Sequence, residues 1–427
     1  MGDEAAYTAA YHALRSYERD RWASVDIQYR RHLARGLVLM AHAYADAYTY
    51  DQPLYTSQGS QCSAALMGPC IQTTLGRSQW VGAELQAQYD WTGDDRLTTM
   101  LGLDGRLRHI GGETDSTAAD TGADLGAVGK RYVVEPVGAV YMQQRYSPIA
   151  SIHANGGLRF EHDPRGDDRL SPRLAVAVDA WRGAVLKAIY SEAFRAPTFY
   201  ETYYESPQQH TAPNIHSEVV RSLEASVEQH FGTHRFLMGV FGTHWINMIT
   251  LEVDPSGVYQ YENVSGIDAY GYNARADGTF GELRYGLSVT GAHARRNSDE
   301  GAEVLAAAPQ FYGNVRVSYD LPGALPLVAL AATFVGSRPA DRVLDSYFPK
   351  LPYAPASLEL RATLSERMPG ISALSYRLGA TFVSASQSPY VAGPNQIGNP
   401  NPALSTEAEL APINRFTVFG TLQYDLP

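Results

Sequence analysis

Apolar and polar residues alternate at period two through nearly every segment of this chain, and that pattern limits its possible folds more than any other feature. From Val81 to Tyr89 the positions Val81, Ala83, Leu85, Ala87 and Tyr89 are apolar, while Gly82, Glu84, Gln86 and Gln88 are small or polar. The same alternation recurs over residues 283–290, 314–320, 357–364 and 374–382. Successive side chains of a strand point to opposite faces, so these segments are strands with one apolar and one wet face.

The connections sort by length. Short turns carry Gly, Pro or Asp, as in Trp91-Thr92-Gly93-Asp94, Trp181-Arg182-Gly183, Gly232-Thr233-His234 and Leu321-Pro322-Gly323. Between them lie long polar stretches at 51–79, 109–131, 195–217, 295–309, 337–352 and 385–413. Short turns at one end and long loops at the other describe an all-β, transmembrane, antiparallel up-and-down β-barrel, with short periplasmic turns and long extracellular loops. A soluble sandwich or propeller would also alternate. Its loops would not sort by length at two ends, and no repeat of about 40 to 50 residues is present.

Composition agrees with a membrane barrel. The chain has 28 Tyr and 38 Gly among 427 residues but only 19% charged residues, which suits a β-rich protein with exposed aromatics. Tyr89, Trp91, Tyr146, Trp181, Tyr190, Tyr319, Phe416 and Tyr424 fall near strand ends, where interfacial girdles belong. No apolar run reaches 18 residues, and Leu325 to Val335 is broken by Pro326, so a transmembrane helix is excluded. The formal net charge of −11 argues against a nucleic-acid partner. The first twenty residues carry acids where a signal peptide carries bases and lack an apolar centre; either the mature N-terminus lies elsewhere or the chain is not exported on its own.

Roughly seventeen strands of about ten residues follow from Trp22 onward. Residues 1–21 read as an N-terminal segment, a loop or partial strand, and 22–427 as the barrel. With short turns periplasmic, the first strand, from Ala23 to Arg31, and the last, from Arg415 to Tyr424, both run downward. Such ends cannot close an antiparallel barrel, so an odd number of leading strands is expected elsewhere, unless residues 5–16 supply one.

Cys62 and Cys70 flank Gly68-Pro69 in a polar stretch. They suit a short disulfide pinning a loop; free thiols and, more remotely, metal binding are the alternatives. A disulfide would place the chain in an oxidising compartment.

One stretch, YSEAFRAPTFYETYY at 190–204, is unlike an ordinary strand-to-loop passage, with six aromatics around Glu192, Arg195 and Pro197 and no evident helix cap. It resembles the YxxAFRAPxxxELY-like strand end of the TonB-dependent outer-membrane receptors, through Tyr190, Ala193, Phe194, Arg195, Ala196, Pro197, Tyr200, Glu201 and Tyr203. Asn214-Ile215-His216-Ser217-Glu218, with Arg221 and Glu224, resembles the family's NPxLKPExxRSxE continuation and departs from it at Ser217, where proline is usual. Tyr261-Glu262-Asn263-Val264, Ala308-Pro309 and Arg415-Phe416-Thr417 follow in the family's order.

The resemblance implies a barrel of about 22 strands with an N-terminal plug and a box pulled by TonB. Nothing in residues 1–22 looks like plug or box, so the chain reads as the barrel portion of such a receptor. It implies partnership with outer-membrane lipid, with TonB only through a plug, and with a bulky ligand such as a ferric siderophore, haem or a cobalamin. It implies localisation in the bacterial outer membrane, no enzymatic activity and no cofactor.

Phe199, Tyr204, His210 and His216 are possible ligand-facing loop residues. A plainer reading has the aromatics anchor and pack the loop, with Arg195 paired to Glu192, Glu201 or Glu218. Glu161-His162-Asp163 and Asp167-Asp168 read as a solvated connection rather than a metal or glycosidase site. Wet-face charges such as Arg106, Arg108, Glu228 and Arg316 read as lining a hydrated lumen. A plugless passive pore is the alternative function, and a soluble carbohydrate-active protein a more distant one.

Overall fold

The computed structural model describes residues 16–56, 62, 68–205, 209–253, 257–264, 266–298, 301–304, 309–323, 325–339, 353–354, 356–368, 370–371, 373–384 and 415–425. Two compact units emerge. One comprises Met1–Ala175, Tyr190–Arg221 and Trp245–Gly266; the other comprises Val176–Ile189, Ser222–His244 and Ile267–Pro427.

The strands of the first unit begin with β1 (Arg19–Ala34), β2 (Leu37–Thr56), β3 (Cys70–Asp90), β4 (Leu97–Ala118), β5 (Asp124–Ile149) and β6 (Ile152–His162). Each pairs with the next in antiparallel register. Odd positions of β3 and β4, such as Val81, Leu85, Leu101, Leu103 and Leu107, form an exposed apolar face. Even positions, such as Glu84, Asp104 and Arg106, form the opposite, polar face. Strand β1 starts at Arg19, three residues before Trp22. Residues 5–15 lie outside the described residues.

These strands exceed the roughly ten residues a tilted crossing needs. Strand β4 has 22 residues and β5 has 26, so the stretch at 109–131, expected as a loop, is paired strand apart from the link at 119–123. Likewise β2 continues to Thr56 and β3 resumes at Cys70. The ladder persists because backbone N–H and C=O groups pair whatever the side chains are. The apolar alternation stops where the chain leaves the hydrocarbon, so it marks the crossing rather than the strand.

Next come β7 (Arg169–Trp181), β8 (Ala184–Arg195), helix α1 (Phe199–Tyr203), β9 (Glu218–Phe231) and β10 (His234–Ile246). A separate hairpin of β11 (Met248–Val253) and β12 (Tyr259–Val264) follows. In the second unit β13 (Ile267–Phe280) pairs with β14 (Leu283–Ser298), whose end also pairs with the short β15 (Gly301–Val304). Strands β16 (Phe311–Asp320) and β17 (Leu327–Val335) continue the ladder. After the two-residue pair β18 (Arg338–Pro339) and β19 (Tyr353–Ala354), the ladder resumes with β20 (Ser357–Arg367), β21 (Leu374–Val383) and β22 (Phe416–Tyr424). The long connection at 385–413 lies outside the described residues. Of these 22 strands, β11, β12, β15, β18 and β19 are short accessories, which leaves seventeen long ones.

The abundance of Tyr and Gly has a shared cause. Tyr44 stands opposite Gly82, Tyr141 opposite Gly102, Tyr132 opposite Gly111 and Tyr272 opposite Gly291. In each pair the ring lies over the glycine: a Cβ on Gly102 would sit 2.0 Å from Tyr141 Cζ, and one on Gly82 2.3 Å from Tyr44 Cζ. The ring covers backbone that glycine leaves bare, while glycine gives it room to lie flat.

Candidate functional site

Strand β8 ends at Arg195 because Pro197, two residues on, has no N–H for the ladder. Pro197 is fully buried. The chain then makes a turn of helix rather than a loop. Thr198 is the N-cap of α1: its side chain accepts from the Glu201 N–H at 3.1 Å, and Glu201 accepts from the Thr198 N–H at 2.7 Å. This capping box stabilises a helix too short to persist alone. No helix cap is evident in this stretch when it is read as sequence; the Thr-x-x-Glu spacing at Thr198 and Glu201 supplies one.

Arg195 grips two carboxylates. Its Nη1 and Nη2 donate to Glu201 at 2.8 and 3.0 Å, and its Nε donates to Glu218 Oε2 at 2.7 Å. Glu192 is not its partner; Glu192 accepts from Tyr190 and pairs with Arg221 at 3.3 Å. The other oxygen of the buried Glu218 accepts the Ile249 N–H at 2.7 Å, which ties the first residues of β11 to the latch. Asn263 on β12 makes a second tie: its side chain accepts from His216 N and donates to the His216 and Asn247 carbonyls. Arg195, Glu201, His216, Glu218 and Asn263 of the sequence motifs thus converge on one knot that holds α1 and the β11–β12 hairpin.

Above the knot lie aromatic rings. Tyr200 and Tyr204 stack at 4.3 Å, Tyr261 meets Tyr200 edge-on at 6.1 Å, and Phe199 packs on Tyr203 at 5.3 Å. The Arg131 guanidinium sits 5.1 Å over the Tyr203 ring. Burial pushes the Tyr200 phenol well above its ordinary value, so it stays a neutral donor. Asn214, His210 and His216 are placed differently: Asn214 is exposed in a turn, His210 is held through its backbone by the Tyr259 carbonyl, and His216 faces Asp167 at 3.0 Å. Ala193, Glu224 and Phe194 bring no side-chain hydrogen bond to the knot.

Below it lies a buried charge cluster where the sequence suggested solvated groups. Arg108 donates twice to Asp163, at 3.0 and 2.6 Å, and lies 3.1 Å from Glu135; Arg165 also lies 3.1 Å from Glu135. All four side chains are at least nine-tenths buried. Arg108 therefore does not line a hydrated surface, and Asp163 is not a solvated loop residue. Asp163 supplies the second carboxylate that two buried guanidiniums, Arg108 and Arg165, need beside Glu135. No periodicity signals such a pairing, 55 residues apart.

Ser217, where the resemblance leads one to expect proline, is fully buried. Its Oγ accepts the Asp167 N–H at 3.3 Å, and a Cβ on Gly166 would sit 2.2 Å from that Oγ. Gly166→Ala is expected to cost about 1–3 kcal/mol through overpacking. Adding Ser217→Ala should return part of it, because the hydroxyl is the atom struck; thermal unfolding of the two variants in detergent checks this.

Desolvation would raise the Glu201 and Asp163 carboxyls, but hydrogen bonds from Arg195 to the first and from Arg108 to the second hold both below the ordinary range. A depressed folded value means the stabilisation is complete above the ordinary carboxylate pKa and is lost as pH falls through the folded one. Resistance of residues 195–217 to an acid-active protease should therefore be flat from about pH 8 to 5 and collapse below about 4. Collapse already near pH 6 would contradict the assignment.

The Sγ atoms of Cys62 and Cys70 are joined in a disulfide. Among the described residues no group of three or more His, Cys, Asp or Glu side chains is arranged to hold a metal ion.

Long antiparallel strands in sequence order, one face apolar and the other polar, define a β-barrel fold of the outer-membrane type. The family described as TonB dependent receptor-like, beta-barrel matches residues 3–356, and the chain belongs to it. Its members reside in the outer membrane of Gram-negative bacteria. Among solved structures, the chain is similar to the copper transporter OprC at a TM-score of 0.70 and 13% identity, covering 95% of this chain and 65% of that one. It is similar to the ferric yersiniabactin uptake receptor FyuA from Yersinia pestis at 0.64 and 12%, covering 86% and 56%. It is also similar to the ferric citrate transporter FecA in the unliganded form at 0.65 and 15%, covering 86% and 57%. The chain spans less than two thirds of the length of each, and at these identities the likeness speaks of fold. No curated protein matches it.

Proposed function

We propose that this chain is the barrel portion of an outer-membrane receptor that takes up a scarce, bulky ligand, a metal chelate or planar macrocycle, driven by TonB when a plug completes the protein. The observation that carries this reading is the tyrosine layer of Tyr200, Tyr204 and Tyr261, fixed on a rigid knot at the long-connection end. Rings held in place lose little conformational freedom on binding and offer flat, polarisable surface to a large ligand. The names of the similar transporters, for copper, ferric yersiniabactin and ferric citrate, support a metal-bearing ligand.

The test is a titration of the complete receptor with ferric siderophores, haem and cobalamin, followed by fluorescence. Tyr200→Ala with Tyr261→Ala should weaken the ligand that binds by about tenfold or more, roughly 1.4 kcal/mol. Unchanged affinity in the double variant would remove the tyrosine layer from the binding surface. Energy-dependent uptake restored by this chain alone would contradict the dependence on a plug.

A further inference from the structure

In the second unit, the polar face of the long strands β16, β17, β20, β21 and β22 carries four arginines, Arg316, Arg361, Arg367 and Arg377, and two carboxylates, Asp320 and Glu359. Both carboxylates are engaged: Asp320 pairs with Arg284 of β14 at 2.7 Å, and Glu359 with Arg361 at 3.1 Å. Arg316, Arg367 and Arg377 make no ion pair or side-chain hydrogen bond with any described residue. Arg316 lies along the sheet, since a Cβ on Gly286 would meet its Nε at 2.6 Å. Arg367 and Arg377 instead border an open cleft.

The registers of β20, β21 and β22 build that cleft. Ser365 stands opposite Arg377, and Arg377 opposite Thr421; one row nearer the short turn at 368–373, Arg367 stands opposite Ser375, and Ser375 opposite Gln423. Directly opposed residues share a face, and the alternate positions Leu360, Leu364, Leu378 and Leu422 lie exposed on the other one. Two rows across three strands thus line a cleft of about 340 Å³ with polar side chains. The arginines are diagonal neighbours, about 7–8 Å apart at the backbone, so one small ion lies within reach of both. Ser365, Ser375 and Thr421 make no side-chain hydrogen bond with any described residue. Gln423 donates to Asp425, just past β22, at 2.9 Å, which leaves its carbonyl oxygen as an acceptor. Apolar groups border the patch: Leu327 stands opposite Ser365, and the Phe419 ring lies over Gly379, where a Cβ would sit 2.3 Å from Phe419 Cζ.

We propose that this cleft, at the short-turn end of the polar face, binds a phosphoryl group, either as the free ion or on a small organic molecule. A guanidinium presents a planar fork that matches phosphate in a bidentate manner, and two forks without carboxylates of their own supply both positive charges that a phosphate dianion needs. The hydroxyls of Ser365, Ser375 and Thr421 donate to the remaining oxygens. The Gln423 carbonyl accepts a hydrogen from a protonated phosphate oxygen. A monocarboxylate has two oxygens, which one fork satisfies, so it would leave the second arginine and most of the hydroxyls idle. The cleft also has room for a small group esterified to the phosphate. The proposal stands on the barrel fold and is independent of the ligand taken at the long-connection end.

The experiment is isothermal titration calorimetry of the full chain refolded in detergent, at constant ionic strength, with inorganic phosphate, glycerol phosphate and acetate. Inorganic phosphate or its glycerol ester should bind at least about tenfold more tightly than acetate. The tighter of the two identifies the source, free ion or organic phosphate. Arg367→Gln with Arg377→Gln should abolish the heat of binding, whereas Arg316→Gln, an unpaired arginine of the same face outside the cleft, should keep it. No binding of either phosphate, or acetate bound as tightly, overturns the proposal with the wild-type chain alone. Undiminished heat in the double variant places the ion elsewhere and overturns it too. Equal loss in Arg316→Gln would reveal a diffuse charge effect, with the same consequence.

Discussion

Glu218→Ala should release the β11–β12 hairpin from the wall while leaving the ladder of the first unit intact. Two bonds go at once. The Ile249 N–H, in a buried residue, loses its acceptor, and Arg195 loses one of its two carboxylates. An orphaned buried donor costs about 1–3 kcal/mol, and the ion pair, with Arg195 partly exposed, adds up to about 1 kcal/mol, so a local loss of about 1–4 kcal/mol is expected. Hydrogen exchange resolves it: amides of Met248–Val253 should exchange about fivefold faster or more, by that energy scale. Those of β2 and β3 should be unchanged. Glu218→Gln, which keeps an acceptor for Ile249, should show a smaller effect. Equal protection in the alanine variant would mean the hairpin is held by something other than this carboxylate.

Asp163→Ala should be more damaging still. It leaves Arg108 and Arg165 buried against the single carboxylate of Glu135, and an uncompensated buried charge costs about 3–5 kcal/mol. Replacing the pair together, Arg108→Met with Asp163→Leu, keeps Glu135 and Arg165 matched and should recover most of the loss, because hydrophobic isosteres of a buried pair are often neutral. Thermal unfolding in detergent, read by circular dichroism, compares the three chains. A cost below about 1 kcal/mol for Asp163→Ala would show that water reaches the cluster.

Much of the fold was legible because strand periodicity is a one-dimensional signal. Val81 to Tyr89 alternates, and its strand follows. Beyond the apolar band the signal fades although pairing does not, which is why residues 109–118 looked like loop and proved to be β4. The knot was half legible. Arg195, Glu201 and Glu218 stood out by resemblance, whereas the Thr198 cap was missed although its spacing to Glu201 encodes it. The Ile249 amide carries no side-chain signature and could not be seen. Arg108, Glu135, Asp163 and Arg165 were opaque for a different reason: each is unremarkable in its own segment, and only long-range pairing makes them a unit.

The tyrosines laid over glycines set how closely anything can approach the polar face. On the polar face, Tyr44 and Tyr141 lie flat against the sheet only because Gly82 and Gly102 have no side chain beneath them. A methyl group at Gly102 would lever the Tyr141 ring outward and break its hydrogen bond to Glu84. Clearance in front of this face is thus set by two missing side chains. A mutation that adds a single carbon there would narrow that clearance without altering any other residue of the face.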